Sequence, residues 1–142
     1  FKQANYENIA KFNEKSTVMM PRIILVCDEL AAIMTNPGAD KEKKDYICRI
    51  ENYLSTIACQ GRAYGIHLVI STQRPDANIV DGQIKNNLDY RICGRADNVL
   101  SRIILDNTSA SDSIPKKSQG RFVTGEGKIV QSYYFSEESS AK

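Results

Sequence analysis

Pro21-Arg22-Ile23-Ile24-Leu25-Val26-Cys27-Asp28-Glu29-Leu30 is the stretch from which the fold is read. Five consecutive apolar residues, Ile23 to Cys27, are largely β-branched and are preceded by Pro21. Such a run predicts a strand buried on both faces of a parallel sheet. It ends in two adjacent carboxylates, Asp28 and Glu29. Ligands of open α/β sheets sit at the carboxyl ends of the strands, which is where this pair falls. Two acids at that edge can divide their labour. One helps to hold Mg²⁺, directly or through water, and the other orients and deprotonates an attacking water. That is the form of a Walker B element in a nucleotide-driven motor. The plainer alternative is a buried strand whose first exposed residues happen to be acidic.

A second stretch repeats the design. In Gly65-Ile66-His67-Leu68-Val69-Ile70-Ser71-Thr72-Gln73-Arg74-Pro75 a short apolar strand runs into polar side chains and stops at a proline. Parallel pairing of the two strands puts Asp28, Glu29, Thr72 and Gln73 along one edge. Gln73 or Thr72 is then placed to contact the attacking water or a terminal phosphate, although Ser71-Thr72-Gln73 also suits a simple strand cap. His67, the single histidine, falls near the start of its strand, the end away from those groups, and reads as structural.

Between and around the two strands the pattern alternates. Residues 5–14 have the spacing of a short amphipathic helix. Residues 35–40 are rich in turn formers. Tyr46, Ile47, Ile50, Leu54, Ile57 and Ala58 recur at helical steps behind Asp40, with Gly61 or Gly65 at the end. Residues 79–88 read as a short helix or turn, and residues 90–94 as a third strand. Asp97 caps a helix with Val99, Leu100, Ile103 and Ile104 on one face. Residues 108–115 read as a polar loop. Residues 120–124 and 128–135 form a terminal hairpin around Gly125-Glu126-Gly127, and residues 136–142 read as a flexible tail. Strands alternating with helices call for an α/β fold with a mostly parallel sheet flanked by helices.

Composition narrows the classes. With 142 residues, 42 % apolar and 25 % charged, the chain is one domain or part of one. Nineteen Lys and Arg against seventeen Asp and Glu give +2, too little for bulk charge alone to mark a nucleic-acid binder. No apolar run approaches the roughly 20 residues that span a bilayer. Cys27, Cys48, Cys59 and Cys93 form no CxxC pair and read as small core residues in a reducing, cytoplasmic setting. The first residue is Phe1, which reads as an excerpt from something larger.

These residues resemble the motor domain of the FtsK/SpoIIIE translocase family. The resemblance runs from residue 21 to residue 123. It is carried by Ile24-Leu25-Val26-Cys27-Asp28-Glu29-Leu30-Ala31, by Gly61-Arg62-Ala63-Tyr64-Gly65 through Thr72-Gln73-Arg74-Pro75, and by Ile84-Lys85-Asn86-Asn87. Arg91-Ile92 and Ser101-Arg102-Ile103-Ile104-Leu105-Asp106 continue it in the same order. It implies a RecA-like P-loop NTPase fold, ATP and Mg²⁺ as cofactors, a hexameric ring and double-stranded DNA as partner. The wider family includes conjugative motors and type VII protein secretion ATPases. By position, Asp28 resembles the Walker B aspartate that supports Mg²⁺, and Glu29 the catalytic base. Gln73 with Thr72 resembles the phosphate sensor. A trans-acting arginine finger falls to Arg91, with Arg102 and Arg74 behind it.

Two departures qualify the match. No G-x-x-x-x-G-K-[ST] occurs in the sequence, so the phosphate-cradling loop is missing. The segment between Leu30 and Gly61 is longer than in the better-known DNA translocases. The expectation is therefore that residues 1–135 are the C-terminal part of an ATP-driven motor domain, inactive by themselves. Membrane attachment would come only through parts outside this sequence. A secretion motor and a degenerate, non-hydrolysing ring module stand as alternatives.

Overall fold

Ile23–Cys27 (β1) and Ile66–Ile70 (β2) form a parallel ladder running from Ile23 opposite Ile66 to Cys27 opposite Ile70. The structure, a computed structural model, describes residues 6–34, 38, 40–75 and 82–134. Most of the expected turn at 35–40, the first part of the expected helix at 79–88, and the tail at 136–142 lie outside the described residues. The chain divides into two compact units, Phe1–Leu88 and Asp89–Lys142.

In the first unit, a parallel pair needs a crossover that returns the chain to its starting end. Leu30–Ile33 (α2), Lys41–Gln60 (α3) and a 3₁₀ turn at Gly61–Tyr64 provide it. Asp40 starts α3 by accepting the Lys43 amide at 3.2 Å, the expected cap. Gly61 ends α3, and a Cβ there would lie 2.8 Å from the Ile66 carbonyl oxygen, so only glycine lets helix and strand approach so closely. Gly65 then turns the chain into β2 with φ +76°, in the left-handed region. The buried Ile9 of Ile9–Lys15 (α1) lies over that turn, and a Cβ on Gly65 would meet its Cδ1 at 2.5 Å.

The core of this unit is Leu30, Met34, Leu54 and Ile84, the last from Gly82–Asn86 (α4). Cys27, Ile47, Ile50, Leu68, Ile70 and Leu88 pack around it. Leu30 and Ile84 are fully buried, each contributing about 1.5–3 kcal/mol of transfer free energy. Leu30 is the residue directly after the acid pair, so the core anchors the turn that carries it.

Burial of β1 departs from expectation. Ile24 is 67 % and Val26 63 % exposed, and only Cys27 reaches the core. β1 is bonded to β2 alone among the described residues, so one edge is open and its faces lack cover. β2 alternates, with Leu68 and Ile70 facing the core and Val69 and the exposed His67 facing away. Cys48 and Cys59, read as core residues, are exposed on α3 because the helix buries only a narrow stripe around Leu54.

The second unit is antiparallel. The third strand is shorter than expected, Ile92–Cys93 (β3), and joins the hairpin Arg121–Thr124 (β4) and Ile129–Gln131 (β5) in the order β3-β4-β5. Its backbone finds partners in β4, with Cys93 opposite Val123, and so does not extend the parallel ladder among the described residues. The α/β class and the C-terminal hairpin stand. Asp97 caps Asn98–Leu105 (α5) through the Leu100 amide at 2.8 Å. The face of α5 differs from expectation: Ser101 and Leu105 are buried and Val99 is exposed. The Ser101 hydroxyl donates to the Asn107 carbonyl at 2.7 Å and accepts from the Ala110 amide at 3.2 Å. That bridge winds the expected loop after residue 108 into a short helix, Ser109–Asp112 (α6). Leu105, Ala110, Ile114 and Val123 form the core of this unit. Among the described residues no helix is long and apolar enough to cross a membrane.

Candidate active site

The register of the parallel ladder builds the site. With Cys27 opposite Ile70, the next residues out bring Asp28 against Ser71 and Glu29 against Thr72. The Ser71 amide donates to the Cys27 carbonyl at 3.0 Å, and the Leu30 amide to the Ser71 carbonyl at 2.9 Å. These two bonds carry the pairing one residue past the strands and fix both chain exits together.

Side chains complete the link. The Ser71 hydroxyl donates to Asp28 Oδ1 at 2.5 Å. The Thr72 hydroxyl donates to Glu29 Oε1 at 2.7 Å, and the Gln73 backbone amide to Glu29 Oε2 at 3.0 Å. Thr72 Oγ1 in turn accepts from the Arg74 amide at 3.2 Å. Glu29 adopts φ +51°, ψ +66°, a left-handed conformation uncommon for a residue with a side chain. This turns the chain from β1 into α2 and swings the carboxylate sideways onto the end of β2. Strain of this kind persists only where surrounding bonds over-determine it, as the Thr72 and Gln73 donors just past β2 do here.

The electrostatics follow from those bonds. The Thr72 hydroxyl first, then the Gln73 amide, hold the Glu29 carboxyl below the usual carboxylate range. Burial and then the neighbouring Asp28 charge push the Cys27 thiol up, and burial does the same at Cys93. Neither thiol is therefore activated as a nucleophile.

Four of the predicted residues, Asp28, Glu29, Thr72 and Gln73, thus lie along one edge, as the sequence indicated. Ser71 was not singled out, yet it touches Asp28; its signal was a hydroxyl one step outside a strand that ends beside the acids. Of the arginine candidates, Arg74 follows the polar run directly, its amide donating to Thr72 Oγ1. Arg91 Nη1 donates to the Ile104 carbonyl at 3.0 Å and to Asp106 Oδ2 at 2.8 Å, tying β3 to the end of α5. Arg91 and Arg102 belong to the second unit, Arg74 to the first. A groove of about 890 Å³ opens at the opposite end of the ladder, lined in part by Arg22, Arg62, Tyr64 and His67. It shares no residue with the acid-pair edge.

One carboxylate with a free oxygen suits Mg²⁺, which keeps most of its waters and binds one or two carboxylates plus substrate phosphates. Asp28 fits: Ser71 takes Oδ1, and Oδ2 has no partner among the described residues. No cluster of three or more His, Cys, Asp or Glu able to hold an ion alone occurs among those residues.

A parallel strand pair that delivers an acid pair and a Ser-Thr-Gln run onto one rim, joined by helices, fits a RecA-like α/β fold. The solved structures agree. The conjugation coupling protein TcpA of pCW3, in its monomer form with ATPγS, matches with a TM-score of 0.85 and 42 % identity. The match covers 96 % of this chain and 40 % of that one. The cytoplasmic domain of the Thermomonospora curvata type VII secretion ATPase EccC matches in fold, with a TM-score of 0.65 at 22 % identity over 92 % of this chain and 14 % of that one. Among curated relatives, the DNA translocase FtsK of Clostridium tetani is 35 % identical over all of this chain and 19 % of its own length. That of Campylobacter jejuni (strain 81-176) is 37 % identical over 75 % of this chain and 11 % of its own length. No protein-family profile matches. The chain belongs to the FtsK/SpoIIIE family. It spans less than a fifth of the length of these curated relatives.

Proposed function

We propose that this chain is the C-terminal part of the motor domain of an ATP-driven DNA translocase, and that it supplies the hydrolytic half of the nucleotide site. The observation that carries this reading is the pair Asp28-Glu29, bonded across the ladder to Ser71-Thr72-Gln73. Relatives named as DNA translocases and a coupling protein solved with ATPγS support the nucleotide and the cargo. The open edge and uncovered faces of β1 support a sheet continued by other parts of a longer protein.

In this reading Asp28 supports Mg²⁺ through its free oxygen, and the ion, when bound, screens charge on the transferred phosphoryl group. Glu29 accepts a proton from the attacking water. The Gln73 side chain reports the terminal phosphate. A guanidinium from a neighbouring subunit of a hexameric ring completes the charge stabilisation. Of the three candidates Arg74 lies in the same unit as the acid pair, and Arg91 would have to leave its tie to Asp106. The phosphate-cradling loop would come from elsewhere in the longer protein, so the chain alone is expected to hydrolyse no ATP. The setting is cytoplasmic, with any membrane anchor outside these residues.

The test is ATP turnover by the full-length protein with and without duplex DNA. Strong stimulation by duplex is expected. Equal turnover in both, with stimulation by a folded protein substrate instead, would move the reading to a secretion motor.

A further inference from the structure

The expected role of Thr72 was a contact to the nucleotide. Its single hydroxyl hydrogen is engaged at 2.7 Å by Glu29 Oε1, and the oxygen accepts the Arg74 amide. A hydroxyl has one hydrogen to donate. The Gln73 backbone amide is likewise engaged, at 3.0 Å, by Glu29 Oε2. The Gln73 side-chain amide, by contrast, has no hydrogen-bond partner among the described residues and is exposed. The run after β2 is therefore divided into groups that face the carboxylate and one that faces outward.

We infer that Thr72 is a positioning residue for Glu29: its hydroxyl and the Gln73 backbone amide form a two-point clamp on the carboxylate, leaving the Gln73 side chain alone to meet the phosphate. This rests on the reading of Glu29 as the base. A carboxylate held at both oxygens cannot rotate about its own axis. The lone pairs not used by the clamp are thereby aimed in one direction, the preorganisation that water activation requires. The left-handed backbone of Glu29 carries the carboxylate to the side of the strand, where the Ala31 amide adds a weaker bond to the two from Thr72 and Gln73. Ser71 does the parallel task for Asp28, but the Glu29 clamp is the part that turnover can isolate.

The experiment compares Thr72→Val, Thr72→Ser and Glu29→Gln in the full-length protein, reading kcat and KM for ATP separately. Thr72→Val is nearly isosteric and lacks the hydrogen. It is expected to lower kcat by about 10- to 100-fold with KM unchanged, the effect of losing an orienting partner rather than a binding contact. Thr72→Ser keeps the hydroxyl and is expected to stay within about threefold of the parent, since the positioned donor is retained. A rise in KM with kcat intact would make Thr72 a nucleotide contact and overturn the inference. So would equal losses in the Val and Ser variants, or no loss in either. If Glu29→Gln itself leaves turnover intact, the underlying reading of Glu29 fails instead, and the two failures are told apart. Should Thr72→Val not fold, hydrogen exchange on this chain remains decisive. The Gln73 amide is expected to be protected, and to lose that protection in Glu29→Ala while the Val69 amide keeps its own. An unprotected Gln73 amide in the parent chain overturns the clamp.

Discussion

Replacing Arg91 by alanine is expected to weaken the second unit rather than to remove a catalytic cation. Two bonds leave one nitrogen of this guanidinium: 3.0 Å to the half-buried Ile104 carbonyl and 2.8 Å to Asp106. The carbonyl bond has a charged donor and leaves its acceptor stranded when lost, a cost of about 1.5 kcal/mol. The pair with Asp106, whose side chain is 63 % exposed, adds only about 0.5 kcal/mol. Arg91→Ala should therefore cost about 2 kcal/mol, moving a urea midpoint by about 1 M at an m-value of about 2 kcal/mol/M. Arg91→Lys keeps the charge but loses the planar fork and should fall in between. A cycle with Asp106→Ala should return a coupling of about 0.5 kcal/mol, the ion-pair share alone. The assay is urea unfolding followed by circular dichroism, with exchange of the Val123 amide as a probe local to the second unit. A stability for Arg91→Ala within about 0.5 kcal/mol of the parent would refute the structural tie, because that is the size expected for a surface change that touches nothing. Such a result, combined with lost turnover in the full-length protein, would return Arg91 to the role of finger.

Gly65→Ala forces a side chain into φ +76° and against Ile9, and should cost about 2–4 kcal/mol. Gly82→Ala, where nothing lies within 4 Å, is the matched control and should be neutral or stabilising by up to about 1 kcal/mol; equal urea midpoints for the two would contradict the docking of α1 on that turn. The depressed Glu29 carboxyl contributes stability above the ordinary glutamate pKa of about 4.3 and loses it as pH falls through the lower folded value. The stability gap between the parent and Glu29→Gln should accordingly shrink as unfolding is measured from pH 7 down to pH 3, and a constant gap would mean the clamp does not favour the ionised form.

What could be read in the sequence was governed by local chemistry. Asp40 and Asp97 announce their helices because a cap needs only the three residues that follow. The acid edge was legible because two strands with the same polarity and matching polar exits have few ways to pair. Ser71 was not, since its contact with Asp28 depends on a register that only the paired backbone fixes. Burial of β1 was misjudged for a different reason: composition reports the surroundings a strand is suited to, and among the described residues β1 has a neighbour on one edge only. β3 has just two paired residues, too short for any period to show which way it runs. The helical winding at residues 109–112 follows from the hydroxyl bridge of Ser101, a tertiary effect invisible to propensity.

The most direct measurement is nucleotide retention by Glu29→Gln in the full-length protein, with bound ATP and released phosphate followed together. Bound, uncleaved ATP is expected, because the proton acceptor is gone while Asp28 still supports the metal. Phosphate release at the parent rate would remove Glu29 from the chemistry and, with it, the assignment of this edge as the hydrolytic half of an ATP site.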